Sequence, residues 1–448
     1  MKLAITITGK AVARSGLLPE TANQLLQYVS DNAAALVDLV GKCADATDDS
    51  AEDFSFLMIL AAYASAEYNS SNPRRFLTYQ LAAHILDGPY KRVSDLVATR
   101  DHSAVNGATL ATRWISGGVM RDLESVLDIR SGVLTSMFAD AASILRSLAD
   151  AIYAATTPQP ASSLPKSVVA VSLPHMLQLV GPLRRLAHRL DVGLPEDVAW
   201  MSSVKDDDGA VLNRREMMQL RSSLFVSPDH ILDTGRFNQL RDAIGPNPAL
   251  TVRLAQRLQK AVRSWRLNER ERLLDSQLRR LPAECKPVLK EYYRTVGTDF
   301  ERVLETALEC LGITIVAKDD GSRSSFPDLV TEVLNPNKTA IECKSKTVGD
   351  SVTFNDATDV LRKAGVNGLG SAFKVTVCQP YISPDVSRKL DLCTDLCVVN
   401  AEDLAEAMVR LKLGKISIEE FSGWLQRPGQ ALREMLPQQV FQRAEAGP

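Results

Sequence analysis

The chain has 448 residues, with 52 Lys and Arg against 54 Asp and Glu and a formal net charge of −2. That length supports two or three domains with cores of their own, while a charge balance this even says little about partners. No apolar run approaches the ~20 residues of a membrane span and no signal peptide opens the chain. The seven cysteines, odd in number and without paired spacing, fit a reducing cytoplasm, so a cytoplasmic protein is expected.

The first 290 residues read as helices. "PETANQLLQYVSDNAAALVDLV" (residues 19–40) has a proline start, an early glutamate and apolar residues at helical spacing. "FSFLMILAAYASAEY" and "SGVLTSMFADAASILRSLADAIYAA" repeat that pattern. The clearest loop is "TTPQPASSLPKS" at residues 156–167. A second helical set follows, ending in the basic "ALTVRLAQRLQKAVRSWRLNERERLLDSQLRRL". From Arg253 to Arg294 there are twelve Lys or Arg against five Asp or Glu, a local net of +7.

Past "LPAECKPVLKEYY" the texture changes, and a domain boundary is expected near Lys290. Beta-branched clusters ("ITIVA", "AIECK", "FKVTVCQP", "LCVVNA") alternate there with helical segments, the pattern of an α/β domain with a mixed sheet. Within it, "SSFPDLVTEVLNPNKTAIECKSK" (residues 324–346) reads as two short strands, "DLVTEVL" and "TAIECKSK", joined at "NPNK". Strand side chains alternate faces, so Glu342 and Lys344 project together while Ile341 and Cys343 face the other way. Closing the hairpin at that turn brings Asp328 near Lys344 and one short step from Glu342. Two converging carboxylates suit Mg²⁺, a hard cation preferring oxygen ligands, with Mn²⁺ able to substitute. An adjacent ammonium orients water and offsets phosphate charge.

The surrounding order sharpens this. "GTDFERVLETALECLGITIVA" places an amphipathic helix ahead of the hairpin. "TFNDATDVLRKAG" reads as a helix, "AFKVTVCQP" as a strand, "SPDVSRKLD" as a helix and "CVVNAEDLAEAM" as a strand entering a helix. Over residues 297–408 this succession resembles the PD-(D/E)XK, restriction-endonuclease-like nucleases. The resemblance implies that Asp328 and Glu342 bind metal, that Lys344 assists the attacking water, and that a helix glutamate, Glu301 with Glu305 as rival, joins them. Lys346 shares the strand face as a phosphate contact or a solvated strand end. All five histidines (His84, His102, His175, His188, His230) precede this region, which removes histidine-based chemistry. Six of the seven cysteines lie from Cys285 onward without the spacing of a four-cysteine cluster.

Residues 3–240 are similar to the C-terminal part of ratchet-type superfamily-two helicases. "LAITITGKAVARSGLLPETANQLLQYV" resembles the end of the winged helix (domain 1–30). "FSFLMILAAYASAEY" and "LATRWISGGVMRDLESVLDIRSGVLTSMFADAASILRSLADAI" resemble the ratchet (31–165). "LRRLAHRLDVGLPEDVAWMSSV" resembles the passage into a helix-hairpin-helix (166–245). The hairpin stretch "SSVKDDDGAVLNRREMMQL" lacks the Gly-x-Gly turn, so that module is degenerate. Arg146 is the ratchet cation for DNA, and Trp114 with Arg113 opens the helix before it, the indole in the core. No GxxxxGK[ST] or DExH-like box occurs, so the resemblance implies a motor missing upstream, in cis, or supplied in trans.

Connecting helices are expected at 246–290, the nuclease domain at 291–415 and a helical tail at 416–448. On the connector, Arg253, Arg257, Lys260 and Arg263 could track a phosphate backbone or form a solvated charged helix. The expected activity is Mg²⁺-dependent DNA cleavage, in phage defence or repair by the habit of such helicase–nuclease pairings. The alternatives are a vestigial nuclease fold serving as a DNA-binding or assembly module, and RNA as substrate.

Overall fold

The run at residues 50–64 has no polar stripe, and such a helix must be surrounded by others. In the computed structural model of the chain it is. The structure describes residues 5–42, 49–69, 88–157, 161–245, 248–319, 325–334, 337–346, 351–383, 386, 389–390 and 393–436. Helix Ser50–Ala64 is buried from Asp53 through Tyr63, with helices Pro19–Lys42, His102–Ile115 and Ser131–Thr156 packed around it. The Tyr63 hydroxyl, deep in this core, donates to the Met137 carbonyl at 3.1 Å. At the helix N-terminus Arg92 gathers Asp49, Glu52 and Asp53 at 3.3, 2.8 and 2.7 Å.

The described residues divide into two compact units: one of residues up to 203 with 212–221, the other of 204–211 with 222–436. The change of texture at residue 290 therefore does not mark the division, because the basic helix Pro248–Arg280 belongs with the sheet. In place of a helix-hairpin-helix turn stands a two-residue ribbon, β1 (Lys205–Asp206) against β2 (Gly209–Ala210).

The second unit is built on six strands in the order β3 (Thr314–Lys318), β4 (Leu329–Leu334), β5 (Asn337–Ser345), β6 (Phe373–Gln379), β7 (Leu396–Asn400) and β8 (Gly429–Ala431). The first three pair antiparallel and the last four parallel, so a mostly helical N-terminal region precedes a mixed α/β sheet. Ile341, Cys343, Val375, Val377, Cys397 and Val399 bury one face against helices Thr298–Glu309, Ala401–Lys412 and Ile418–Leu425. Ala340, Cys378, Leu396 and Val398 bury the other against helix Phe354–Val366. That helix is the crossover between parallel strands β5 and β6, the connection such a pair requires.

Three expectations change. The stretch expected as a helical tail holds helix Ile418–Leu425 and then β8, which pairs with β7 through Val399↔Ala431; residues 437–448 lie outside the described residues. Trp114 closes helix His102–Ile115 instead of opening a helix; as expected, it packs, its ring 5.7 Å from Phe138. The basic helix is more than a solvated connector, since its C-terminal half is docked: Arg266 lies over Tyr381, Arg270 meets Glu402 at 2.9 Å and Arg280 meets Glu406 at 2.6 Å. The helix expected at "SPDVSRKLD" and the centre of the "NPNK" turn fall largely or wholly on residues outside the described set, as do His84 and Cys43. Among the described residues six cysteines are free, with Cys343, Cys378 and Cys397 buried in the sheet. Among the described residues no helix is long and apolar enough to cross a membrane.

Candidate active site

The hairpin sets the register. Leu329 pairs with Ile341 and Thr331 with Thr339, after an irregularity between Glu332 and Leu334. Continued one residue, this places Asp328 level with Glu342. The expected position beside Lys344 is therefore two residues too far along β5, one of which the irregularity near the turn accounts for. Asp328 is fixed there by its Oδ2, which accepts from the Cys343 amide at 2.6 Å.

Along β5 the side chains of Glu342, Lys344 and Lys346 share one face, and helix Phe354–Val366 runs against that face in the opposite direction. The result is a ladder of three ion pairs. Lys346 meets Asp356 at 3.1 Å, Lys344 meets Asp359 at 3.1 Å, and Lys363 meets Glu342 at 2.6 Å. Strand positions two apart thus meet helix positions three and four apart, one face of each element. Lys344 also donates to Glu342 Oε1 at 2.8 Å, so two ammonium groups converge on one carboxylate oxygen. Lys363 Nζ stands 3.7 Å from Asp328 Oδ1 as well.

Negative charge is nonetheless under-compensated. Burial, then the Glu342 carboxylate, push the Asp328 carboxyl up to about 7, against the pull of the Cys343 amide. Burial and Glu342 likewise raise Glu301, which the first turn of helix Thr298–Glu309 holds within electrostatic reach of Asp328, Glu342, Lys344 and Lys363. Glu305 is used elsewhere, paired with Lys318 at 2.8 Å. For Lys344 burial works against the charge, but Glu342 and then Asp359 outweigh it and hold the ammonium up at about 12. Asp359 is lowered: Lys344 and Arg362 overcome the burial that would raise it.

The donor set is chemically suited to a hard divalent cation: carboxylate oxygens in a poorly hydrated rim. Glu342 is 1% exposed, and its buried Oε2 accepts no hydrogen bond among the described residues. A buried carboxylate oxygen left unpaired is costly unless something positive meets it. Asp328 and Glu342 would hold the cation. Among the described residues no three His, Cys, Asp or Glu side chains already stand as a ligand cage, and Glu301 acts through the field instead of by contact.

The other expected contacts scatter. In the first unit Arg146 is paired with Asp191, both half exposed. On the basic helix Arg257 is taken by Asp206, and by Asp208 at 3.5 Å. Arg253, Lys260 and Arg263 are exposed, one solvent stripe of that helix. Lys346 is engaged by Asp356, which forms a capping box with the N-cap Thr353. Sequence reasoning missed Asp356, Asp359 and Lys363. Their signal is present in "NDATDVLRK", where Asp356, Asp359 and Lys363 are spaced by three and four on the helix that follows the strand bearing Glu342 and Lys344.

No family model, curated protein or solved structure matched the chain.

Proposed function

We propose that the second unit is a metal-dependent nuclease of the PD-(D/E)XK, restriction-endonuclease-like kind, hydrolysing phosphodiester bonds of DNA. The observation that carries this is the meeting of Asp328, Glu342 and Lys344 at the rim of a mixed sheet, with one buried Glu342 oxygen unpaired among the described residues. A Mg²⁺ bound there would supply a Lewis acid and an activated water. Asp328 and Glu342 would hold it and Glu301 adds negative field behind them. Lys344 stays protonated at neutral pH, so it serves as a hydrogen-bond donor to the water or to a phosphate oxygen, not as the proton acceptor. The exposed Arg253, Lys260 and Arg263 would lead the backbone in through salt-dependent contacts. Association with a superfamily-two helicase motor rests on the likeness of residues 3–240 to ratchet-type helicases.

One observation favours a second reading. Lys363 already bridges the two carboxylates, as in a buried ion network whose role is structural; the unit would then bind DNA without cutting it. Cleavage of single-stranded, double-stranded and forked DNA, and of matched RNA, with and without Mg²⁺ decides. Mg²⁺-dependent cutting that falls at least ~100-fold in Glu342→Gln and Lys344→Ala is expected for the nuclease. Cleavage by these variants at the wild-type rate would sink it.

A further inference from the structure

Lys363 is the one member of the rim that the nuclease reading leaves without a task. Its ammonium is almost enclosed, with the residue 9% exposed, yet it comes from a helix and not from the strand that carries the acids. It sits 2.6 Å from Glu342 Oε1 and 3.7 Å from Asp328 Oδ1, between the two side chains that a divalent cation would have to bridge. Lys363 shares the Glu342 oxygen with Lys344, but it alone also reaches towards Asp328, and the field of Glu301 adds to the negative charge of the two acids. The second Glu342 oxygen still accepts nothing among the described residues. The position is therefore that of a counter-cation that incompletely satisfies its site.

The helix itself is held in place. The Asn367 side-chain amide donates to the Lys363 carbonyl at 2.8 Å and to the Ser325 carbonyl at 2.6 Å, tying the helix end to the segment that leads into Asp328. Lys363 can leave the acids only by swinging its flexible four-carbon stem, which carries a compact point charge. Mg²⁺ brings twice the charge at about 2.0–2.1 Å from oxygen, closer than an ammonium approaches.

We propose that Lys363 is a resident stand-in for the metal, closing the carboxylate site in the resting chain and displaced when a divalent cation enters, so that it sets the site's metal affinity. This rests on the nuclease reading of Asp328 and Glu342. Displacement frees an ammonium at the rim, beside the place where a phosphate would bind.

The test is Mn²⁺ binding followed by the electron paramagnetic resonance of the free ion, together with thermal melting in chelator and in Mn²⁺. The full chain is used as wild type, Lys363→Met, Lys363→Gln and Glu342→Gln. Removing the competing charge should tighten Mn²⁺ binding at least ~10-fold in Lys363→Met. It should also lower the melting point in chelator and enlarge the Mn²⁺-induced rise. If Lys363→Met does not fold in chelator, Lys363→Gln, polar but uncharged, must show the same tightening. Wild-type binding that depends on Glu342 but is unchanged or weakened in both Lys363 variants overturns this inference alone. Equal Mn²⁺ affinity in wild type and Glu342→Gln overturns the nuclease reading and this inference with it.

Discussion

The Cys343 amide donates to Asp328 Oδ2 at 2.6 Å, and this bond locks the aspartate beside Glu342 although both side chains are buried. The bond stabilises the charged carboxylate, but burial and Glu342 act more strongly and leave Asp328 at about 7. For an acid raised in the folded state, the unfolded chain releases its proton first. Between its ordinary value near 4 and about 7 the folded state thus binds more protons, and this group makes stability fall as pH rises. Asp328→Asn, which can still accept from Cys343, should flatten that decline and melt several degrees higher than wild type at pH 8 in chelator. Divalent cations should stabilise wild type there and leave the variant unmoved. Melting curves from pH 4 to 8 check this, and an unchanged slope would show that Asp328 is not the strained acid.

How far the site was legible follows from what each residue depends on. Glu342 and Lys344 share a face because strand geometry has a period of two, so the letters "ECK" suffice. Asp328 lies two residues from the position expected beside Lys344, and the irregularity at Glu332 and Leu334, which accounts for one of them, has no marker in side-chain chemistry. Lys363 is correctly read as helical, but a helix pattern does not tell which strand face it will cover. That depends on the crossover between β5 and β6, a tertiary fact. The alternation of helices and strands gave the α/β texture, whereas β8 is three residues long and carries no alternation to detect.

On the basic helix, the exposed stripe of Arg253, Lys260 and Arg263 lies opposite buried Leu258, Ala261 and Val262. Reversing the three charges to Glu should leave folding intact, since surface changes of this kind stay within about 0.5 kcal/mol each. DNA affinity should weaken at least ~10-fold, and the slope of log affinity against log salt should shrink by about 3. Arg257, already compensated by Asp206 and Asp208, should contribute less when changed alone. Fluorescence anisotropy over a salt series measures both, and an unaltered slope would remove this helix from the DNA path.

Glu406 anchors the end of the same helix to the α/β core. It is 5% exposed and accepts from Arg280 at 2.9 and 2.6 Å, Arg410 at 3.1 Å and Gln277 at 3.3 Å, and Gln277 in turn accepts from the Tyr293 hydroxyl at 2.9 Å. Although burial would raise it, Arg280 and Arg410 hold its carboxyl below the ordinary range. The stability it lends is present at neutral pH and is lost as pH falls through the carboxylate range. Glu406→Ala strands Arg280 against the core and should cost about 3 kcal/mol, with Glu406→Gln costing less. Urea unfolding at pH 7 tests this; a cost near zero would mean that the helix is not fastened here.

In the helical unit the sharpest constraint is Gly193, where helix Leu173–Val192 ends. Its φ is +66°, and a Cβ built there would stand 2.1 Å from the Trp114 ring. The indole cannot retreat. It stacks on Phe138, donates from Nε1 to the Leu190 carbonyl at 3.0 Å and lies under the Arg214 guanidinium at 3.9 Å. Gly193→Ala therefore combines an unfavourable left-handed backbone with overpacking and should destabilise by about 3 kcal/mol. It should also change tryptophan emission. Gly414 has a similar φ of +63° with nothing near its missing Cβ, so Gly414→Ala should cost only about 1 kcal/mol. Equal losses in the two variants, measured by denaturant unfolding, would mean that backbone strain alone acts and that the glycine–tryptophan contact does not hold this helix end.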